Sequence, residues 1–148
     1  MAIIKTNMNI VDVKKYHSVM LIDDNEIDNL INQKMIEAAD ISENIFIHSG
    51  AKSAIEFLQN IEKLAKGPLE LYLPEIIFLD IDMPIMDGFQ FLDEFEKLSD
   101  IIKQNCKIVM LTSSLNPQDM NKAKKNKYVI KYLNKPLTQE SLKKILFS

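Results

Sequence analysis

The chain contains no arginine, and all 18 of its basic side chains are lysines. Arginine's planar fork is the usual reader of base edges and phosphates, so its absence argues against a sequence-specific nucleic-acid reader. There is one cysteine, Cys106. It cannot close an internal disulfide, and a lone thiol fits a reducing compartment. No apolar run approaches the roughly 18 residues that span a bilayer. The opening MAIIKTNMNIVDVKKYHS lacks the basic start, apolar middle and small-residue cleavage site of a secretory leader. A cytoplasmic protein is expected, with neither nucleic acid nor membrane as its partner.

What is present is one domain's worth of ordinary globular sequence: 148 residues, 47% hydrophobic and 26% charged. The net charge of −3 hides an uneven distribution. Residues 1–102 hold 8 lysines against 19 acids, and residues 103–148 hold 10 lysines against 2 acids. Such asymmetry in one compact unit fits two faces with different partners, or a lysine-rich surface that is simply solvated.

Apolar runs alternate with amphipathic stretches. HSVMLI (17–22), NIFIH (44–48), EIIFLD (75–80), KIVMLT (107–112) and YVIKYL (128–133) read as five strands. Between them, Ile27, Leu30, Ile31, Met35 and Ala38 recur at helical spacing over 26–39 and predict an inward stripe. Ala51, Ala54, Ile55, Leu58, Ile61 and Ala65 trace a second helix, stopped by Gly67-Pro68. Phe91, Leu92, Phe95 and Leu98 mark a third, entered through Asp87 as cap and Gly88. Asn116 as cap and Pro117 at the first helical position predict a helix over 117–126. Thr138 opens a last helix with Leu142, Ile145 and Leu146 inward. Continuous apolar strands between such helices predict a parallel sheet covered on both faces. Residues 1–16 read as an extension and 17–148 as the domain.

Parallel sheets of this kind carry their sites at the carboxyl ends of the strands. Here those ends bear Asp23-Asp24, His48-Ser49, Asp80, Thr112 and Lys135-Pro136, with Asp82 just beyond the third strand. Each like-charged pair at 4 Å costs roughly 4 kcal/mol at an effective dielectric near 20. A cluster of acids therefore survives by binding protons or a cation. Oxygen donors without histidine or cysteine favour a hard ion, magnesium before zinc. A carboxylate can itself be the nucleophile, forming an acyl phosphate, with Lys135 and the Thr112 hydroxyl available to the transferred oxygens.

LIDDN, FLDIDMPIMDGF, MLTSS and YLNKPL, in that order, resemble the receiver domains of two-component response regulators, close to the single-domain chemotaxis type. The resemblance covers about residues 17–147. It implies a flavodoxin-like (βα)5 doubly wound α/β sandwich with strand order 2-1-3-4-5. It makes Asp80 the phosphoacceptor, with magnesium on Asp23, Asp24, Asp80 and the main-chain carbonyl of Asp82. Thr112 and Tyr132 become the switch pair, Lys135 the partner of the phosphate, and Lys135-Pro136 a cis peptide. The implied donor is a sensor histidine kinase or histidine phosphotransfer protein, with the chain a phosphoacceptor rather than an enzyme. A downstream protein would dock on the fourth helix, fifth strand and last helix. Lys122, Lys124 and Lys125 give that face an affinity for acidic partners. The expected assembly is a monomer or a phosphorylation-linked dimer.

The chain departs from the family pattern in KAKKNKYVIKY, which has no glycine before the fifth strand. Its 67–74 link, GPLELYLP, is long, as in some phytochrome-associated receivers. Asp82 and Ser114 occupy positions that influence water attack on the phosphate. Three alternatives compete with this reading. A haloacid-dehalogenase-like phosphatase shares Asp-x-Asp after a strand, but its acidic pair follows the nucleophile, whereas Asp23-Asp24 precede Asp80. A flavodoxin-like carrier would need a phosphate-cradling loop where DDNEIDN stands. An adaptor without chemistry would have no need of the full set of acids, hydroxyl and lysine.

Overall fold

The computed structural model describes residues 16–146. Strands β1 (Tyr16–Ile22), β2 (Ser42–His48), β3 (Ile76–Asp80), β4 (Lys107–Thr112) and β5 (Val129–Asn134) alternate with helices. The helices are α1 (Glu26–Ala39), α2 (Ala51–Leu64), α3 (Gly88–Glu96), α4 (Asp100–Asn105), α5 (Pro117–Lys124) and α6 (Gln139–Leu146). The strands form one sheet in the order β2-β1-β3-β4-β5, and all four pairings are parallel. The predicted architecture is the observed one.

Alternate side chains of the central strands feed two cores. Met20, Ile22, Ile77, Leu79 and Met110 meet α2, α3 and Ala123 of α5 on one face. Val19, Leu21, Phe78, Val109 and Leu111 meet Ile36 of α1 and Leu142 and Ile145 of α6 on the other. Burial on both faces explains why these strands read as unbroken apolar runs.

Four details differ from the sequence reading. Tyr16, assigned to the extension, is the first residue of β1; residues 1–15 lie outside those described. The third helix, marked through Leu98, stops at Glu96 as Lys97 N–H returns to Glu94, and a helix the sequence reading did not include, α4, starts after Ser99. The helix predicted over 117–126 stops at Lys124. The Asn126 side chain accepts from Tyr128 N–H at 2.9 Å, a local turn that competes with another helical residue.

The fourth difference is the largest. The stripe of Ile27, Leu30 and Ile31 does not face the core; Ile27 is 68% and Leu30 53% exposed. The inward face of α1 is instead Asn29, Asn32 and Ile36. Both asparagines are anchored to main chain outside the helix: Asn29 Nδ2 donates to the Asp23 carbonyl at 2.8 Å, and Asn32 Oδ1 accepts from Leu137 N–H at 2.8 Å. Those two bonds fix the rotation of α1 against the pull of its isoleucines.

Candidate functional site

The sheet register brings the site together. Ile22 pairs with Leu79, so the next residues, Asp23 and Asp80, leave adjacent strands side by side. Asp80 pairs with Leu111 and Thr112 with Asn134, which puts the hydroxyl and then Lys135 on the same rim. The main chain fastens this rim: Lys135 N–H donates to Thr112 O at 2.7 Å and Asp23 N–H to His48 O at 3.1 Å. The Lys135-Pro136 peptide is cis, as expected.

Asp23, Asp24 and Asp80 each present an oxygen, all within 4.8 Å of one another. Asp23 and Asp80 are each 2% exposed, whereas Asp24 is open to solvent. Two buried acids this close need a counter-charge, and Lys135 supplies part of it. Its Nζ lies 2.8 Å from Asp28 Oδ2, 2.9 Å from Asp23 Oδ2 and 3.3 Å from Asp80 Oδ1. Burial pulls the Lys135 ammonium down, but hydrogen bonds to Asp28 and Asp23 outweigh it and hold the pKa above the ordinary lysine value. Burial and the Asp23 charge push Asp80 up to about 7, against the opposing pull of Lys135. One ammonium does not satisfy the group. The three acids form an oxygen-only donor set that fits a hard divalent cation.

The remaining residues divide. The Asp82 side chain is exposed and outside the three-acid group. Thr112 is buried, but its hydroxyl serves its own turn, donating to Ser114 O at 2.9 Å and accepting from Ser114 N–H at 3.2 Å. The Tyr132 hydroxyl is buried without a hydrogen-bond partner. It sits near Thr112 and the Asn116 main chain, and burial raises its pKa. The predicted output lysines Lys122, Lys124 and Lys125 are all exposed. Lys122 reaches back over the Phe89 ring, 4.3 Å from its centroid.

Loop 81–87 and α3 are seated against Asp80. Asp87 and Gln90 form a capping box at the start of α3. A Cβ on Gly88 would lie 2.8 Å from the Asp80 carbonyl oxygen, so only glycine fits. Ile85, in the same loop, has φ 72° and is 99% exposed. A β-branched residue there is strained. Away from the site, His48 bonds Ser53 at 2.7 Å. Cys106 is buried, which pushes its thiol up to about 12 and leaves it inert.

Sequence reasoning missed Asp28, Asn29 and Asn32. Asp28 gave no local signal, since its partner Lys135 lies 107 positions away. The two asparagines looked like surface residues and gave no sequence signal.

A five-stranded parallel sheet in this order, with acids, a hydroxyl and a lysine at its carboxyl edge, defines a flavodoxin-like doubly wound α/β domain. Residues 19–147 match the family model described as the response regulator receiver domain, so the chain belongs to that family. A two-component response regulator from Cytophaga hutchinsonii superposes with a TM-score of 0.79 at 32% identity, covering 91% of this chain and 96% of that one. The response regulator Rcp1 from Synechocystis is 27% identical over 102 residues, 69% of this chain and 65% of Rcp1. Its Mn2+-bound structure aligns at a TM-score of 0.65 and 25% identity over 88% of each chain. The sensor histidine kinase CheAY of Helicobacter pylori is 27% identical over 124 residues, 84% of this chain but 14% of that protein. Nothing among these relatives supports the phosphatase alternative. Among the described residues, no helix is long and apolar enough to cross a membrane.

Proposed function

We propose that the protein is a cytoplasmic receiver, monomeric or dimerising on phosphorylation, that takes a phosphoryl group onto Asp80 from the phosphohistidine of a sensor kinase or phosphotransfer protein. One observation carries the reading: a buried carboxylate at a strand mouth, with two acids within 4.8 Å and an ammonium at 3.3 Å. An oxygen of Asp80 attacks phosphorus as the histidine N–P bond breaks. The imidazole leaves with the electron pair and takes a proton from water. Asp23, Asp24, Asp80 and the Asp82 carbonyl would hold Mg2+, which supplies charge neutralisation for the phosphoryl oxygens. Lys135 is already at the rim to pair with one such oxygen. Thr112 reaches another only by releasing Ser114, and Tyr132, buried beside it, can follow. That exchange gives the domain two states for the phosphate to bias.

The apolar outer face of α1, with Ile27, Leu30 and Ile31, flanks the acids, and Ile85 projects from the loop after Asp80. This ring of exposed aliphatics is where the phosphodonor protein would sit. The output face is α5–β5–α6, where Lys124, Lys125, Lys127 and Lys143 are exposed. Only Ala123 of α5 is buried, so that helix is lightly held and able to move. The test is incubation with Mg2+ and acetyl phosphate followed by intact mass. Gain of one phosphoryl group, absent in Asp80→Asn, is expected; an unmodified wild type, or a variant that still gains the group, would overturn the assignment.

A further inference from the structure

An ammonium has three N–H bonds to give. Those of Lys135 are drawn to three carboxylates, and the two shortest contacts go to Asp28 at 2.8 Å and Asp23 at 2.9 Å. Asp80 receives the longest, an ion pair at 3.3 Å. Asp23 and Asp80 belong to the group that can hold a cation, and Asp28 does not. A cation at the acids competes for the very oxygens that hold Lys135 from one side. Asp28, one turn along α1, keeps its oxygen for the lysine. The pair is sheltered: the Lys135 side chain is 11% and that of Asp28 34% exposed. Asp28 is itself fixed by the helix, where its N–H donates to Asn25 Oδ1 at 3.0 Å. Helix α1 is held in turn through Asn29 and Asn32.

We infer that Asp28 is a positioning residue that keeps the Lys135 ammonium at the mouth of Asp80 once a divalent cation engages Asp23 and Asp80. Without Asp28, the flexible four-carbon stem of Lys135 has no anchor independent of the cation-binding acids. The ammonium then spends part of its time in solvent, away from the arriving phosphoryl oxygens. Asp28 does not touch the reacting atoms; it acts through Lys135.

The inference rests on Asp80 being the phosphoacceptor, and two measurements separate its failure from the failure of that reading. The first is the ammonium signal of Lys135 in a 1H–15N spectrum at pH 6 with saturating Mg2+, assigned with Lys135→Arg. Wild type should show a signal protected from exchange, and Asp28→Asn should lose it. The second is the maximal rate of phosphorylation by acetyl phosphate at saturating Mg2+. It should fall about tenfold in Asp28→Asn, the scale of one charge-assisted hydrogen bond. Asp28→Glu should restore most of it, and the thermal midpoint of both variants should stay near wild type. If wild type takes up no phosphoryl group while the signal still depends on Asp28, the receiver reading falls and the positioning role stands. A protected signal in Asp28→Asn, an undiminished rate, or a loss of rate that only tracks unfolding would overturn the positioning role.

Discussion

Replacing Asp80 with asparagine should make the metal-free protein more stable, increasingly so as pH rises. In the unfolded chain Asp80 titrates at its ordinary 3.8; in the fold, burial and Asp23 raise it to about 7. The folded state therefore binds the proton more tightly. The associated stability is complete below pH 3.8, declines as the unfolded chain ionises, and is fully lost above pH 7. At about 1.4 kcal/mol per tenfold, the loss at pH 8 has a ceiling of about 4 kcal/mol, of which less than half has gone by pH 5. Exposed Asp24 shows that water reaches the rim, so about half the ceiling is the expected size. Asp80→Asn has no such decline. In EDTA its advantage should be about 2 kcal/mol at pH 8 and under about 1 kcal/mol at pH 5. At an m-value near 2 kcal/mol/M, that is about 1 M urea in the midpoint at pH 8. Circular dichroism suits the titration, since the chain has no tryptophan. Saturating Mg2+ should narrow the gap by stabilising the wild type. A pH-independent difference, or a variant less stable at pH 8, would refute this account of the acid cluster.

Three further outcomes follow from the geometry. Gly88→Ala should cost about 2 kcal/mol or more in urea unfolding, because its Cβ would meet main-chain atoms of Asp80 and Ile81 rather than a yielding side chain. Leu30→Ser should slow phosphotransfer from a protein donor about tenfold or more, while the rate with acetyl phosphate holds; equal loss with both donors would refute the docking face. Replacing Lys122, Lys124 and Lys125 together with glutamate should abolish binding of an acidic partner at low salt. Unchanged affinity in a titration at 50 mM salt would place the output elsewhere.

The alternation of strands and helices was legible because the central strands are continuous apolar runs and several caps use ordinary turn chemistry. Asn116, Pro117, Asp87 and Thr138 all act as their residue types suggest. The site acids, Thr112 and Lys135 were legible because strand ends in a parallel sheet share one edge. What stayed hidden was orientation. Periodicity turned the isoleucines of α1 inward; two side-chain-to-main-chain bonds, from residues that look like surface polars, turned them out. Asp28 stayed hidden for a related reason: its partner lies 107 positions away in sequence. Helix α4 gave no signal because it is six residues long and buries only Ile102.

Helix α1 clasps the acidic end of β1 through Asn29 and the segment after β5 through Asn32, while its outer aliphatics await company. If the donor docks there as proposed, recognition and reactivity would sit on opposite sides of a single rod. On the proposed reading, lineages acquiring new donor proteins could rewrite the outer aliphatics freely, provided Asp28 and the two amides remain. Paralogues within one cell would then diverge in whom they answer long before they diverge in how fast they react.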